Sequence, residues 1–233
     1  MYSKQQFAKM IDNTLLRPDA VRDDILKLCE DSAIRHFASV CIFPCWVGTA
    51  VRALQGSDVK VCTVIGFPFG ATTRLSKVFE VRNAIANGAK EVDAVLNISK
   101  FKSGDYDAVM QDLKELADAT HMGTIGDDSR RVLLKIIIET CYLTNEEKAL
   151  ASQMVRDSGA DFIKTSTGTG PAGATVEDIR LIRRAVGPAA IGVKASGGIK
   201  TLQTALQMLD AGANRIGTSS GVALFDSYEA SDS

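Results

Sequence analysis

Histidine is nearly absent from this sequence: His36 and His121 are the two in 233 residues. Neither stands at metal-ligand spacing from a cysteine, so no zinc or other metal site is expected. Both read as residues of helix-to-strand connections with structural or solvent-facing roles. The five cysteines, Cys29, Cys41, Cys45, Cys62 and Cys141, are odd in number and contain no C-x-x-C pair. They read as reduced thiols in a cytoplasmic protein. Cys41 and Cys45, in "CIFPCW", lack a histidine partner and read as buried apolar residues. A net charge of −1 gives nucleic acid or an anionic membrane no general attraction. No apolar run approaches the ~18 residues of a membrane span. The opening "MYSKQQFAKMIDN" lacks the apolar stretch of a secretory signal. Linkers, charge blocks and low-complexity segments are missing too. The expectation is one domain over residues 1–233, frayed at 226–233.

What the sequence does have is a core. It is 45% hydrophobic and 24% charged, ordinary for a soluble globular chain that needs no disulfide or metal staple. Short Val/Ile-rich runs alternate with helical patterns. The strand candidates are "IDNTLL", "ASVCIF", "VKVCTVIGF", "EVDAVLNI", "RVLLKIII", "DFIKTSTG", "AIGVKASGG" and "NRIGTSS". Between them, "VRDDILKLCEDSAI" puts Val21, Ile25, Leu28 and Cys29 on one helical face. "LSKVFEVRNAIANGA" does the same with Leu75, Val78, Val81, Arg82 and Ile85. "TVEDIRLIRRAVG" opens on a Thr175 cap and closes at Gly187, and "TLQTALQMLDAGA" repeats the form. Three helix-to-strand joints look alike: "NGAKEVDAV", "SGADFIKTS" and "AGANRIGTS". Eight βα units at this spacing predict a single (β/α)8 TIM barrel with a short N-terminal helix. An open doubly wound sheet is the alternative, but its Gly-rich turn follows the first strand. Here the Gly-rich turns come late.

Four ionisable residues sit inside strand candidates: Asp93, Lys135, Lys164 and Lys194, with Asp12 as a fifth. One alone could be a wall residue or half of a buried ion pair. Four on strands four to seven, neighbours in a barrel, point to a shared site at the C-terminal ends of the strands. Side chains alternate along a strand, so an inward Lys164 brings Phe162 and Ser166 inward and turns Ile163 and Thr165 to the helices. Two inward lysines would depress each other's pKa, and burial acts in the same direction. A partly neutral lysine attacks carbonyls and forms a Schiff base; Asp93 nearby could relay protons. The turns "STGTG", "ASGG" and "IGTSSG" follow strands six, seven and eight. Glycine lets backbone N–H groups approach an anion, which suggests a phosphate cradle. "SSGVALF" could supply a short helix there, starting at Ser219 or Ser220. The plainer reading is that these are ordinary βα turns.

Taken together, "IDNTLLRPDA", "VIGFPFGATT", "EVDAVLNI", "DFIKTSTGTG", "GVKASGGIKT" and "RIGTSSGV" resemble the deoxyribose-phosphate aldolase family of class I aldolases, from about residue 7 to residue 224. The resemblance implies a (β/α)8 barrel, no metal or other cofactor, and reversible cleavage of 2-deoxy-D-ribose 5-phosphate to acetaldehyde and D-glyceraldehyde 3-phosphate. It implies Lys164 as the Schiff-base former, Lys194 as the second active-site lysine and Asp93 as the proton-relay carboxylate. Phosphate contacts fall on Gly168, Gly197, Gly198, Ser219 and Ser220, with Asp12, Thr14, Lys135 and Thr167 as supporting residues. The implied partners are small phosphosugars and aldehydes, with room for a homo-oligomer. Two positions depart from the family pattern. Asn13 replaces a common histidine, which bears on the support of Asp12. Thr169 stands where some members carry lysine, which bears on any side-chain cation at the phosphate end. Three other readings fit the same residues: a Schiff-base aldolase for a longer ketose, a phosphosugar isomerase, and a phosphosugar-binding protein without turnover.

Overall fold

A computed structural model describes residues 2–122, 131–187 and 191–228. Eight parallel strands close into a barrel in chain order: β1 (Ile11–Leu15), β2 (Ser39–Ile42), β3 (Lys60–Ile65), β4 (Glu91–Val95), β5 (Leu133–Ile137), β6 (Phe162–Lys164), β7 (Gly192–Ser196) and β8 (Arg215–Thr218), with β8 paired to β1. Every strand candidate is present, so the fold is the expected (β/α)8 barrel. The short helix α1 (Lys4–Ala8) precedes β1 and is held by a capping box between Ser3 and Gln6. Around the barrel run α2 (Arg22–Arg35), α3 (Val47–Ala53), α4 (Arg74–Ala86), α5 (Ile98–Lys102), α6 (Tyr106–His121), α7 (Asn145–Asp157), α8 (Val176–Val186), α9 (Leu202–Asp210) and α10 (Gly221–Asp226).

Local chemistry sets these boundaries. The side chains of Thr73, Thr144, Thr175 and Thr201 each accept from a backbone N–H in the first turn of their helix. The three similar joints turn at Gly88, Gly159 and Gly212, all with positive φ, a conformation that an L side chain resists. Two helical faces differ from expectation. Val21 is the residue before α2 and is 58% exposed, while Ile25 and Cys29 of the same stripe are buried. On α4 the buried stripe is Lys77, Val81 and Ala84, which leaves Leu75 72% exposed. The packed face is rotated by about one residue, near 100°, because the aliphatic stem of Lys77 covers core surface. Its ammonium reaches the Val95 carbonyl at 3.1 Å and also pairs with Asp112.

The strands sort their side chains by alternation. Val40, Val61, Val92, Ala94, Leu134, Ile136, Ile163, Val193, Ala195 and Ile216 join the hydrophobic layer under the helices. The inward set is different in kind: Asp12, Cys41, Cys62, Glu91, Asp93, Lys135, Lys164, Lys194 and Arg215 meet one another inside. Phe162 is inward as well, beneath the Arg215 guanidinium at 5.6 Å from the ring centroid. A Cβ at Gly192 would lie 2.2 Å from that ring, so the glycine makes the space it occupies. The far end of the chain is packed through Tyr228, which stacks on Phe7 with centroids 4.5 Å apart and donates to the Tyr2 carbonyl at 2.5 Å. Fraying over 226–233 therefore does not extend to residues 226–228, and 229–233 lie outside the described residues.

Candidate active site

The site is built around one carboxylate. Asp93, fully buried on β4, accepts from Lys164 Nζ and Lys194 Nζ on the same oxygen, Oδ2, at 2.7 Å each. Its other oxygen, Oδ1, accepts from Lys135 Nζ at 2.9 Å and Cys62 Sγ at 3.1 Å. Register explains the convergence: Asp93 pairs with Lys135 across β4 and β5, and Lys164 pairs with Lys194 across β6 and β7. A second carboxylate, Asp12 on β1, lies 2.6 Å from Lys194 Nζ and 2.5 Å from an Arg215 nitrogen. Glu91 lies two residues before Asp93 on the same inward face and bridges Lys135 at 2.5 Å to Arg215 at 3.3 Å.

These charges fix one another. Burial alone would raise Asp93, but Lys135, Lys164 and Lys194 hold it well below the usual carboxylate range. Asp12 is likewise depressed against burial, by Arg215, Lys194 and Lys135. Burial would pull Lys194 down, yet Asp12 and Asp93 keep it above the ordinary lysine value. Lys135 is held well above it, against burial, chiefly by Asp93. For Lys194 the net direction is therefore opposite to the expected depression: Lys135 does pull it down, but the two carboxylates outweigh that repulsion and burial. Sequence places the lysines near each other, but does not show Asp93 standing between them with Asp12 on the far side of Lys194.

Above this cluster opens a cavity of about 410 Å³. Lys164 is the one member of the buried lysine trio that lines it. Thr14, Thr167, Gly168, Gly197, Gly198 and Ser219, all singled out in the sequence, line it too. Ser220 does not; its N–H donates to Thr218 Oγ1 at 2.9 Å, and α10 starts immediately after it. The two glycines of "ASGG" differ. A Cβ on Gly197 would meet Gly173 Cα at 2.9 Å, whereas one on Gly198 would meet nothing within 4 Å. Gly197 is thus required by its packing on the β6–α8 loop, and Gly198 faces open space. Gly217 in "IGTSSG" lies within β8; a Cβ there would stand 2.8 Å from Lys194 Cε. Its part is to make room for the lysine stem.

Supporting roles shift as well. Thr167 lines the cavity but is engaged by Glu139: its N–H donates to that carboxylate at 3.1 Å and its hydroxyl donates to it as well. Asn13 points outward, donating to Ser32 Oγ on α2 at 3.0 Å, so the departure at Asn13 supports the helix and not Asp12. Cys45 is exposed, contrary to expectation; Cys41 is buried as expected. His36 and His121 pair with Asp58 at 3.0 Å and Asp161 at 2.9 Å, away from the site. Residues missed in the sequence are Glu91, Arg215, Glu139, Cys62 and Lys200. Lys200, two residues after the second glycine of "SGGIK", lines the cavity as an exposed cation with no ion pair among the described residues. It places a side-chain cation on the same cavity that Thr169 lines. Arg17 also lines the cavity but is paired with Asp19 and Asp24. Strand spacing could not show that Cys41, Cys62 and Asp93 come together, with ligand atoms within 4.8 Å of one another. Three ammonium groups already crowd Asp93, so that trio is a poor host for a dication.

The arrangement offers an amine at the floor of a polar cavity, a shared carboxylate through which protons can pass, and glycine turns with a free cation at the rim. Residues 7–227 match the DeoC/LacD family aldolase model. A deoxyribose-phosphate aldolase of Thermoanaerobacter sp. (strain X514) is 54% identical over 95% of this chain and 96% of its own length. One from Brevibacillus brevis is 54% identical over 93% of each. Among solved structures, an aldolase called QR15 is 42% identical with a TM-score of 0.86, covering 94% of both chains. A structure described as a unique tetrameric deoxyribose phosphate aldolase from Aeropyrum pernix is 30% identical with a TM-score of 0.85, over 97% of this chain and 92% of that one. Among the described residues no helix is long and apolar enough to cross a membrane. The chain belongs to the DeoC/LacD family of aldolases.

Proposed function

We propose that this protein is a class I deoxyribose-phosphate aldolase, cleaving 2-deoxy-D-ribose 5-phosphate reversibly through a Schiff base on Lys164. The observation that carries the reading is the shared oxygen of Asp93, 2.7 Å from both Lys164 and Lys194, directly beneath the cavity. Unprotonated Lys164 adds to C1 of the open-chain aldehyde, and loss of water gives an iminium. The C3 hydroxyl then loses its proton, the C2–C3 electron pair moves into the iminium, and glyceraldehyde 3-phosphate leaves. The remaining enamine takes a proton at C2, and water returns acetaldehyde and the free amine. Asp93, in contact with both Lys164 and Lys194, is placed to relay these protons between the amine and bound water. Gly168, Gly198 and Ser219 hold the phosphate with Lys200, and that remote binding positions C1 over the amine.

Catalysis needs no metal in this scheme, because the iminium is the electron sink. Activity is expected to survive EDTA, and loss restored by added zinc would overturn the class I assignment. Five free thiols accord with a cytoplasmic setting. Self-association accords with exposed Phe69, Leu75 and Phe79 and with the tetramer described for the Aeropyrum protein. The deciding experiment is borohydride trapping with acetaldehyde followed by peptide mass mapping. An adduct on Lys164, absent from Lys164→Arg, is the expected result; an adduct on Lys194 reverses the assigned roles. An isomerase or a simple binding protein would form no adduct.

A further inference from the structure

Beneath the reacting amine the barrel holds a closed set of charges. The cations are Lys135, Lys164, Lys194 and Arg215; the anions are Asp12, Glu91 and Asp93. Four cations face three anions, so loss of one proton makes the set neutral. Contact decides which proton is free to leave. Lys135 lies within 3.7 Å of Asp12, 2.5 Å of Glu91 and 2.9 Å of Asp93. Lys194 lies within 2.7 Å of two carboxylates. Among the described residues Lys164 pairs with Asp93 alone, and it is the member that reaches the cavity. Arg215 cannot serve, since a guanidinium keeps its proton in proteins. Two thiols complete the surroundings: Cys62, pushed up by burial, and Cys41, drawn down by its hydrogen bond with Cys62. Glu139 is the next carboxylate outward and is occupied by Thr167.

We propose that Glu91 and Arg215, which touch neither the cavity nor Lys164, are positioning residues that set this charge count, so that the single proton released comes from Lys164. The inference rests on the reading of Lys164 as nucleophile. Glu91 and Arg215 lie at the floor of the barrel, two residues below Asp93 and Gly217 on their strands, and bind each other at 3.3 Å. Glu91 reaches Lys164 through Lys135 and Asp93, and Arg215 reaches it through Asp12, Lys194 and Asp93. The count predicts opposite effects from removing either charge. Arg215→Met leaves three cations and three anions, so Lys164 keeps its proton longer and the acid limb of kcat/KM against pH moves up. Glu91→Gln leaves four cations and two anions, so the limb moves down. Each shift is expected on the order of one pH unit. The double variant restores the excess of one and returns the limb to its original place.

The experiment measures kcat/KM against pH for the wild type, Glu91→Gln, Arg215→Met, Arg215→Lys and the double variant. Trapping by cyanoborohydride with acetaldehyde and mass mapping accompanies each. Arg215→Lys keeps the charge and is expected to keep the limb. If Arg215→Met does not fold, Glu91→Gln and the charge-balanced double variant still decide. Limbs that move together, or that stay fixed while activity falls, reduce the pair to a structural ion pair and overturn the inference. An adduct on a residue other than Lys164 overturns the functional reading itself, a separate outcome seen by mass and not by pH.

Discussion

Lys164 illustrates how much one residue's neighbours decide. Its strand position announces an unusual lysine, and the inward set Phe162, Lys164 and Ser166 follows from alternation alone. What alternation cannot give is the partner, because Asp93 lies 71 residues away in the chain. The glycines show the same limit. "ASGG" reads as two equal contributors to a cradle, but Gly197 is committed to Gly173 and Gly198 to open space. Their substitutions should therefore separate. Gly198→Ala carries only the strain of a side chain at φ +77, about 1–2 kcal/mol. It should raise KM for 2-deoxyribose 5-phosphate more than for unphosphorylated 2-deoxyribose. Gly197→Ala adds a backbone clash and should lower stability further, while harming both substrates alike. KM ratios and denaturation midpoints of the two variants check this; equal KM ratios would remove Gly198 from the phosphate site.

Strands and helices were legible to different degrees. All eight strands could be read because their outward residues are mostly Val, Ile, Leu and Ala in short runs. The faces of α2 and α4 were less clear, since Val21 is a pre-helix residue and Lys77 lends its stem to the core. The glycines inside strands were least legible. A strand glycine usually marks a bulge or a close approach, and here Gly217 admits the stem of Lys194. Gly217→Ala should push that stem off Asp12. An overpacking cost of about 1–3 kcal/mol is expected, with a fall in kcat larger than any change in KM. Urea midpoints and steady-state kinetics test both parts. An unchanged kcat would show that Lys194 tolerates displacement and would weaken its place in proton transfer.

For the whole molecule, the polar interior makes stability depend on pH at both ends. Asp12 and Asp93 are depressed in the folded state, so their contribution is full above the unfolded carboxylate pKa, ~3.9, and is lost as pH falls through their folded values. Lys135 and Lys194 are raised, so theirs is full below the unfolded lysine pKa, ~10.4, and is lost as pH rises through their folded values. Thermal midpoints should be level near neutrality and fall on the acid side below about pH 4. A midpoint unchanged down to the acid limit would mean that these carboxylates do not stabilise the fold. The contact between Gly173 and Gly197 carries a different consequence. Ala174 N–H bonds to the Ser196 carbonyl at 3.0 Å and to the Gly197 carbonyl at 3.2 Å, and a Cβ on Gly173 would stand 2.1 Å from the latter oxygen. The loops after β6 and β7 are therefore one heritable part. Change in either is constrained by the other, and a barrel assembled by grafting loops from relatives should accept this pair together and reject each alone.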